Sequence, residues 1–518
     1  DEKTVVRLTA NSHEVAGLPK AILEAAAQEA RDSGRMTAAA ESGPWRFVAN
    51  CEMRRAVLES CEDQEMRREM YKMLPARIET TEDNLEIISR ILAMRFDWAR
   101  DVGYDSYADM VFESRMATQR QAEVFLLHLQ NVSLAAARRE QEELAAFARE
   151  RGAMSVLKPW DVAYWQTKRQ AEYLKSSGFD LAAFFPLPVV LNGLFELVRR
   201  LFGLEMVEVE EAVPLWHESM RFFHVVNAST SIPLGGLCLD LYNAPGKRQA
   251  GFWAEVGVRY SRLLGAHGVP RRCIMHIIGD VAPTADETLP ATMTFQQVHS
   301  FFDAMGHAIQ ELLTDQREGL AAGCNGMELD AVKFPRKFFG LWAYDPAVLR
   351  SIGKHFHTGQ TLPDSAIDSI IGMQSLHVGS RLLEEVRAAR IDLELHSRSD
   401  AKHSESPDDI VQRIYRETAT GQLHEEEQAV LLSSVAGHVA NGYAAGYYSD
   451  LWAEVLAADA FELFQESGIG DEITVRRLGR HFHNAILRPG AGAHPLTAFR
   501  KFRNRNPRIE PFLRRCGL

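Results

Sequence analysis

Apolar residues recur at three- and four-residue spacing along almost the whole chain, and this period breaks only once. "NLEIISRILAMRFDWARDVG" (84–103) and "QAEVFLLHLQNVSLAAARREQEELAAFARERG" (121–152) show it plainly. That spacing puts the apolar side chains on one face of a helix, whereas a strand needs a period of two. Glu, Arg, Ala and Leu fill the remaining positions, as helices prefer. "PLPVVLNGLFELVRRLFGLEM" (186–206) is a further helix, entered through prolines and left through Gly203. Residues 12–210 and 292–518 therefore read as successive helices. Between them, "RFFHVVNA", "GGLCLDLYN" and "RCIMHIIGDV" are short, apolar and bounded by Gly, Pro and Asn, so residues 211–282 read as strands. The loop "APTADETLP" follows. The expectation is a mainly helical body with one small inserted β-sheet. It divides into 1–210, 211–395 and 396–518 within one module, and the polar stretch 396–409 is an exposed connection.

With 518 residues, 46% of them hydrophobic, the chain can bury a large core. Its net charge of −12 argues against a protein that coats nucleic acid, which needs a concentrated basic surface. The exception is the basic end "AFRKFRNRNPRIEPFLRR", which through residues 500–515 could meet RNA or an acidic partner. The six cysteines are scattered and form no C-x-x-C, which fits a reducing compartment. No apolar run reaches the roughly 20 residues of a membrane span. No targeting peptide is visible, and a start at Asp1 rather than Met is compatible with a removed presequence or with a start further upstream.

Chemistry concentrates in "SFFDAMGHAIQELL" (300–313). A zinc peptidase helix reads H-E-x-x-H, with two His one turn apart and a Glu that takes the proton of the metal-bound water. Here those positions are Asp303, Ala304 and His307, so one imidazole remains and the general base is gone. His299, Asp303, His307 and Glu311 do fall on one face. The first three alone span about 12 Å, too far for one ion, so at most an adjacent pair could hold a metal weakly. His307 and Asp303 are the weak candidates.

The segment Phe302-Asp303-Ala304-Met305-Gly306-His307-Ala308 nonetheless resembles the F-H-E-F-G-H-A helix of the M3 family of zinc oligopeptidases, which includes thimet oligopeptidase, oligopeptidase A and dipeptidyl carboxypeptidase. Its third ligand ends a D-F-V-E segment before P-S-Q, and the matching run here is Asp330-Ala331-Val332-Lys333 before Pro335-Arg336-Lys337. "VLNGLFELVRRLFGLEM", "LDLYNAPGKRQAG", "FGLWAYDPAVLRSIGKHFHTGQTLP", "GYAAGYYSDLWAEVLAADAFELF" and "ILRPGAGAHPLTAFRKF" are also family-like. The resemblance implies a zincin-related helical body around a central channel, here without the family's N-terminal helical segment. It also implies an oxyanion loop, H-x-x-x-G-Y-x-A-x-Y-Y-x-Y, matched by His438, Gly442, Tyr443, Ala445, Tyr447 and Tyr448. Asp450 replaces the last Tyr, and a carboxylate there would repel an oxyanion. Asp330 matches the family's Asp and reads as a retained helix contact.

These replacements predict a pseudopeptidase with no catalytic residues and no cofactor, serving as a subunit of a multi-protein assembly. Zinc-dependent cleavage of short peptides and peptide binding without cleavage are the alternatives. The resemblance favours the mitochondrion, with the cytoplasm as alternative. Lys333 and Asp303, opposite charges at former ligand positions, are expected to pair where the ion would sit.

Overall fold

The computed structural model describes residues 5–48, 50–72, 81–153, 156–175, 181–209, 215–244, 247, 251–261, 265, 269–284, 286, 288–316, 318–398, 405–421 and 442–518. Most of them are helical, as the period requires. Helix α1 (Gln119–Glu150) opens with a capping box between Thr118 and Gln121. Helix α2 (Leu187–Phe202) starts behind Pro186, carries Pro188 in its first turn and ends at Gly203 in the left-handed conformation. Its stripe Leu187, Val190, Leu191, Leu194, Leu197, Val198 and Leu201 is buried.

The five-stranded sheet runs β3–β4–β5–β7–β6, with β3 at Leu204–Glu208, β4 at Arg221–Asn227, β5 at Pro233–Tyr242, β6 at Trp253–Val258 and β7 at Cys273–Val281. Only the β5–β7 pair is parallel. Three of these strands match the sequence expectation. β3 lies ahead of the expected boundary, and β6 was missed because, as an edge strand, it buries none of its residues fully. A second correction concerns residues 12–210, which are not all helix. Trp45–Val48 (β2) pairs antiparallel with Val5–Thr9 (β1). Four residues are too few to show a period, and the alternation Trp45, Phe47 is the only sign of an inward face. Residues 399–404, six of the fourteen in the expected exposed connection 396–409, lie outside the described residues.

The main core packs α2, the sheet and helix α3 (Phe295–Leu312) together. Thr294 and Gln297 cap α3 with another capping box. From Phe301 to Leu312 all its residues but His307 are buried, so this helix runs through the interior. Helices α4 (Leu329–Val332) and α5 (Phe334–Gly340) follow, and α5 lies against α3. A Cβ on Gly306 would stand 2.6 Å from Phe339 Cβ and 2.9 Å from Arg336 Cα, so only glycine permits this approach. Helices α6 (Val378–His396) and α7 (Ser449–Ser467) complete the surroundings of the site.

Candidate metal centre

The close passage of α3 and α5 brings the replaced positions together, but not in the expected pairing. Asp303, 6% exposed, accepts from Arg336 Nε at 2.8 Å. Its other oxygen packs against Gly340, where a Cβ would lie 2.4 Å away. Lys333 turns the other way. Its Nζ donates to Asp450 Oδ1 at 2.8 Å and Oδ2 at 2.7 Å, and stands 4.6 Å from the centre of the Tyr443 ring. The expected Asp303–Lys333 pair is therefore replaced by two crossed pairs. Arg336 lies within the first turn of α5 with its backbone against Gly306 of α3, which places its guanidinium on Asp303. Ala304 is buried and offers no proton acceptor.

Next to them Lys337 donates to Glu454 Oε1 at 2.8 Å. Burial alone would lower the Lys337 pKa, but the carboxylates of Glu454 and Asp303 outweigh it and raise it. Burial pushes Glu454 up, and Lys337 and Arg381 bring it below the ordinary carboxylate value. Glu385, which pairs with Arg381 at 2.8 Å, is raised by burial and by Glu454. A set of charged pairs thus occupies the centre of the site.

The described part of the tyrosine loop is anchored from α6. Asp392, fully buried on α6, accepts from the backbone N–H groups of Ala445, Gly446 and Tyr447 at 2.9–3.0 Å. This anchor escaped sequence reading, whose only hint was the one-turn spacing of Asp392 and His396. Asp330 does act as a helix contact. It accepts from Met116 N, Ala117 N and Tyr448 Oη at 2.8–2.9 Å. Burial, then Asp330, raises the Tyr448 hydroxyl pKa, so it stays protonated. Burial, then Asp450, raises Tyr447. His438 lies outside the described residues.

A zinc ion does not fit Asp303, His307 and Lys333, because one position is held by a guanidinium and another is itself an ammonium. One turn further along α3 the donors do fit. His307, Glu311 and Cys324 each offer a ligand atom, all within 4.8 Å of one another. Burial, with Arg336 and Arg259 adding to it, lowers His307 to about 4, so its ring is neutral. Burial raises Glu311, and burial followed by the Glu311 charge raises Cys324. Sequence reading placed Glu311 on the right helix face but missed Cys324, which arrives from a loop with no motif.

At the end of the chain, the basic residues meet acids of α7. Arg503 and Arg505 both bind the fully buried Asp459, and Arg514 binds Glu462. Among the described residues no helix is long and apolar enough to cross a membrane.

A family model described as Peptidase family M3 matches residues 57–518. The chain is 34% identical over 520 residues to Organellar oligopeptidase A, chloroplastic/mitochondrial, of Arabidopsis thaliana, covering 100% of this chain and 65% of that protein. It is 34% identical over 521 residues to Probable cytosolic oligopeptidase A of the same plant, covering 100% and 74%. Oligopeptidase A of Haemophilus influenzae is 30% identical over 519 residues, covering 99% and 73%. The solved structure of PZ peptidase A with inhibitor 2 superposes with a TM-score of 0.52 at 13% identity, over 91% of this chain and 70% of that one. These matches overturn the expectation of no cofactor. The matched family consists of zinc oligopeptidases, so zinc is expected, and the His307–Glu311–Cys324 group is where the donors fit it.

Proposed function

This chain belongs to Peptidase family M3, and on that premise we propose that it keeps the family's body without its hydrolytic step and works as an interaction subunit for protein or peptide partners. One observation carries the reading: the charged residues that replace the family's first His, its ligand Glu and the last Tyr of its loop are committed to each other or to neighbours. Asp303 is bound to Arg336, Lys333 to Asp450, and Ala304 accepts nothing. Loss of a general base alone costs about 10²–10⁴-fold in rate. Unpaired charges left by simple decay would be costly to bury, whereas these replacements compensate one another. The test is turnover of short quenched-fluorescence peptides by the purified, zinc-supplied chain. No cleavage above background is expected, with peptide or partner binding retained. Chelator-sensitive turnover restored by zinc would overturn the reading.

Hydrolysis of short peptides is the second reading. It is favoured by the donor group on α3 and by the oligopeptidase names of the relatives. The organellar relative supports a mitochondrial location, and the equally similar cytosolic one supports the cytoplasm. Fractionation of cells expressing the full-length protein separates the two.

A further inference from the structure

We infer that this chain binds a zinc-class divalent cation at a site shifted along α3, which keeps His307 of the family's ligand positions and adds Glu311, one turn further on, and Cys324 of the loop that follows. The geometry comes first. His307 and Glu311 stand four residues apart on one helix face, the spacing that a two-ligand helix uses. Cys324 closes the third side, and the donor atoms lie within 4.8 Å of one another. Bonds of 2.0–2.3 Å in a tetrahedral site put donors about 3.3–3.8 Å apart, so side-chain rotation of about an ångström completes the cage. Three protein donors leave one position for a non-protein ligand.

The chemistry selects the ion. Imidazole, carboxylate and thiolate together suit zinc and its borderline neighbours, whereas magnesium and calcium take oxygen donors. A dication also settles the local charge, since one carboxylate and one thiolate neutralise it. Without it Glu311, only 5% exposed, has the Cys324 N–H at 3.1 Å and Arg259 at 3.9 Å.

Two further observations point the same way. Gly323 has φ +63°, and a Cβ there would stand 1.9 Å from Glu311 Oε2. The loop is thus built to bring its backbone, and with it Cys324, onto the carboxylate. Among the described residues His307 shows neither a hydrogen bond nor an ion pair. Asp303, its neighbour on the other side, is taken by Arg336, so Glu311 and Cys324 are the donors left to it.

The test reads metal binding, so it fails or succeeds independently of whether peptides are cleaved. Purified full chain, stripped of metal, is loaded with cobalt(II) and then titrated with zinc against a chromophoric chelator. One cobalt per chain, with the intense absorption of a thiolate–cobalt bond, is expected, and zinc should displace it. Glu311→Gln and Cys324→Ser should each weaken zinc binding at least tenfold, and Cys324→Ser should abolish the thiolate band. Cys238→Ser, on β5, should leave both unchanged. No bound metal, a spectrum without the thiolate band in the unaltered chain, or affinity that falls with Asp303→Asn instead of Glu311→Gln would overturn the inference. The unaltered-chain spectrum keeps the test decisive even if a variant fails to fold.

Discussion

A lysine at the position of a metal-binding glutamate reverses a charge, and Asp450 shows how the chain absorbs the reversal. Lys333 and Asp450 stand 117 residues apart, yet each is the other's partner at 2.7 Å. Their side chains are 21% and 37% exposed, so the coupling between Lys333→Ala and Asp450→Ala in a double-mutant cycle should stay within about 1 kcal/mol. The exchanged variant, Lys333→Asp with Asp450→Lys, should recover most of the stability that either single reversal loses. Urea unfolding of the four proteins checks this, and an exchange no better than the singles would refute it. The sequence named both residues as departures but could not pair them, because motif spacing carries no information on which side of α5 a long side chain leaves. The same scale holds a second expectation. His377 has φ +58°, and neither ring nitrogen has a hydrogen-bond partner. Burial, with Arg169 acting the same way and Glu140 and Glu143 opposing, lowers its pKa from 6.5. Below pH 6.5 the unfolded chain binds this proton first, so its stability contribution falls as pH drops towards the folded pKa. His377→Asn keeps a residue that tolerates positive φ and removes the titration. The fall in Tm between pH 7.5 and pH 5.5 should therefore be shallower in the variant, and an unchanged slope would assign the acid loss to other groups.

Helices and strands were legible in proportion to their length. α2 was bounded correctly because prolines and Gly203 frame a long apolar stripe, whereas β2, four residues long, and the half-exposed edge strand β6 had no period to read. Contacts between elements were less legible. Gly306 looked like one letter of a degenerate motif, and the structure makes it the contact point of α3 and α5. Ala at this position would gain about 1 kcal/mol of helix propensity. Against that, Pro335 O and Arg336 Cα are backbone atoms 2.9 Å from the new Cβ and cannot swing aside. Overpacking of this kind costs about 1–3 kcal/mol, so Gly306→Ala should destabilise on balance. A lowered urea midpoint at unchanged m-value checks it. Asp330 ties the segment before α1 and Tyr448 to α4 through one carboxylate, and Asp330→Ala would leave the buried Ala117 N–H, the part-buried Met116 N–H and the Tyr448 hydroxyl unpaired. At about 1–3 kcal/mol for each stranded group, this variant should be among the most damaging single changes in the chain. Thermal unfolding that matches the parent would show that water or rearrangement replaces the carboxylate.

Over the whole molecule, the replaced centre is a set drawn from α3, the α4–α5 junction, α5 and the tyrosine loop, and reversing it requires changes in all four segments. Restoring the family letters alone, Asp303→His, Ala304→Glu and Lys333→Glu, supplies the zinc donors but leaves two residues matched to the present arrangement. Arg336 now sits 2.8 Å from the side chain at position 303 and would face a dication with nothing to neutralise it. Asp450 would lose its lysine and stand near a new glutamate. The guanidinium repels the ion in a partly buried site, and the unpaired Asp450 carboxylate stands where the family's loop carries a Tyr hydroxyl. Adding Asp450→Tyr and Arg336→Ser, the family letter of P-S-Q, should therefore raise zinc affinity at least tenfold over the triple reversion. Lys337 need not change, because Glu454 already holds it at 2.8 Å. The measurement is chelator competition in a Cys324→Ser background, which keeps the neighbouring donor group from binding the added zinc. If the triple reversion binds as tightly as the fivefold one, Arg336 and Asp450 are bystanders, and the replaced residues did not assemble as a mutually adjusted set.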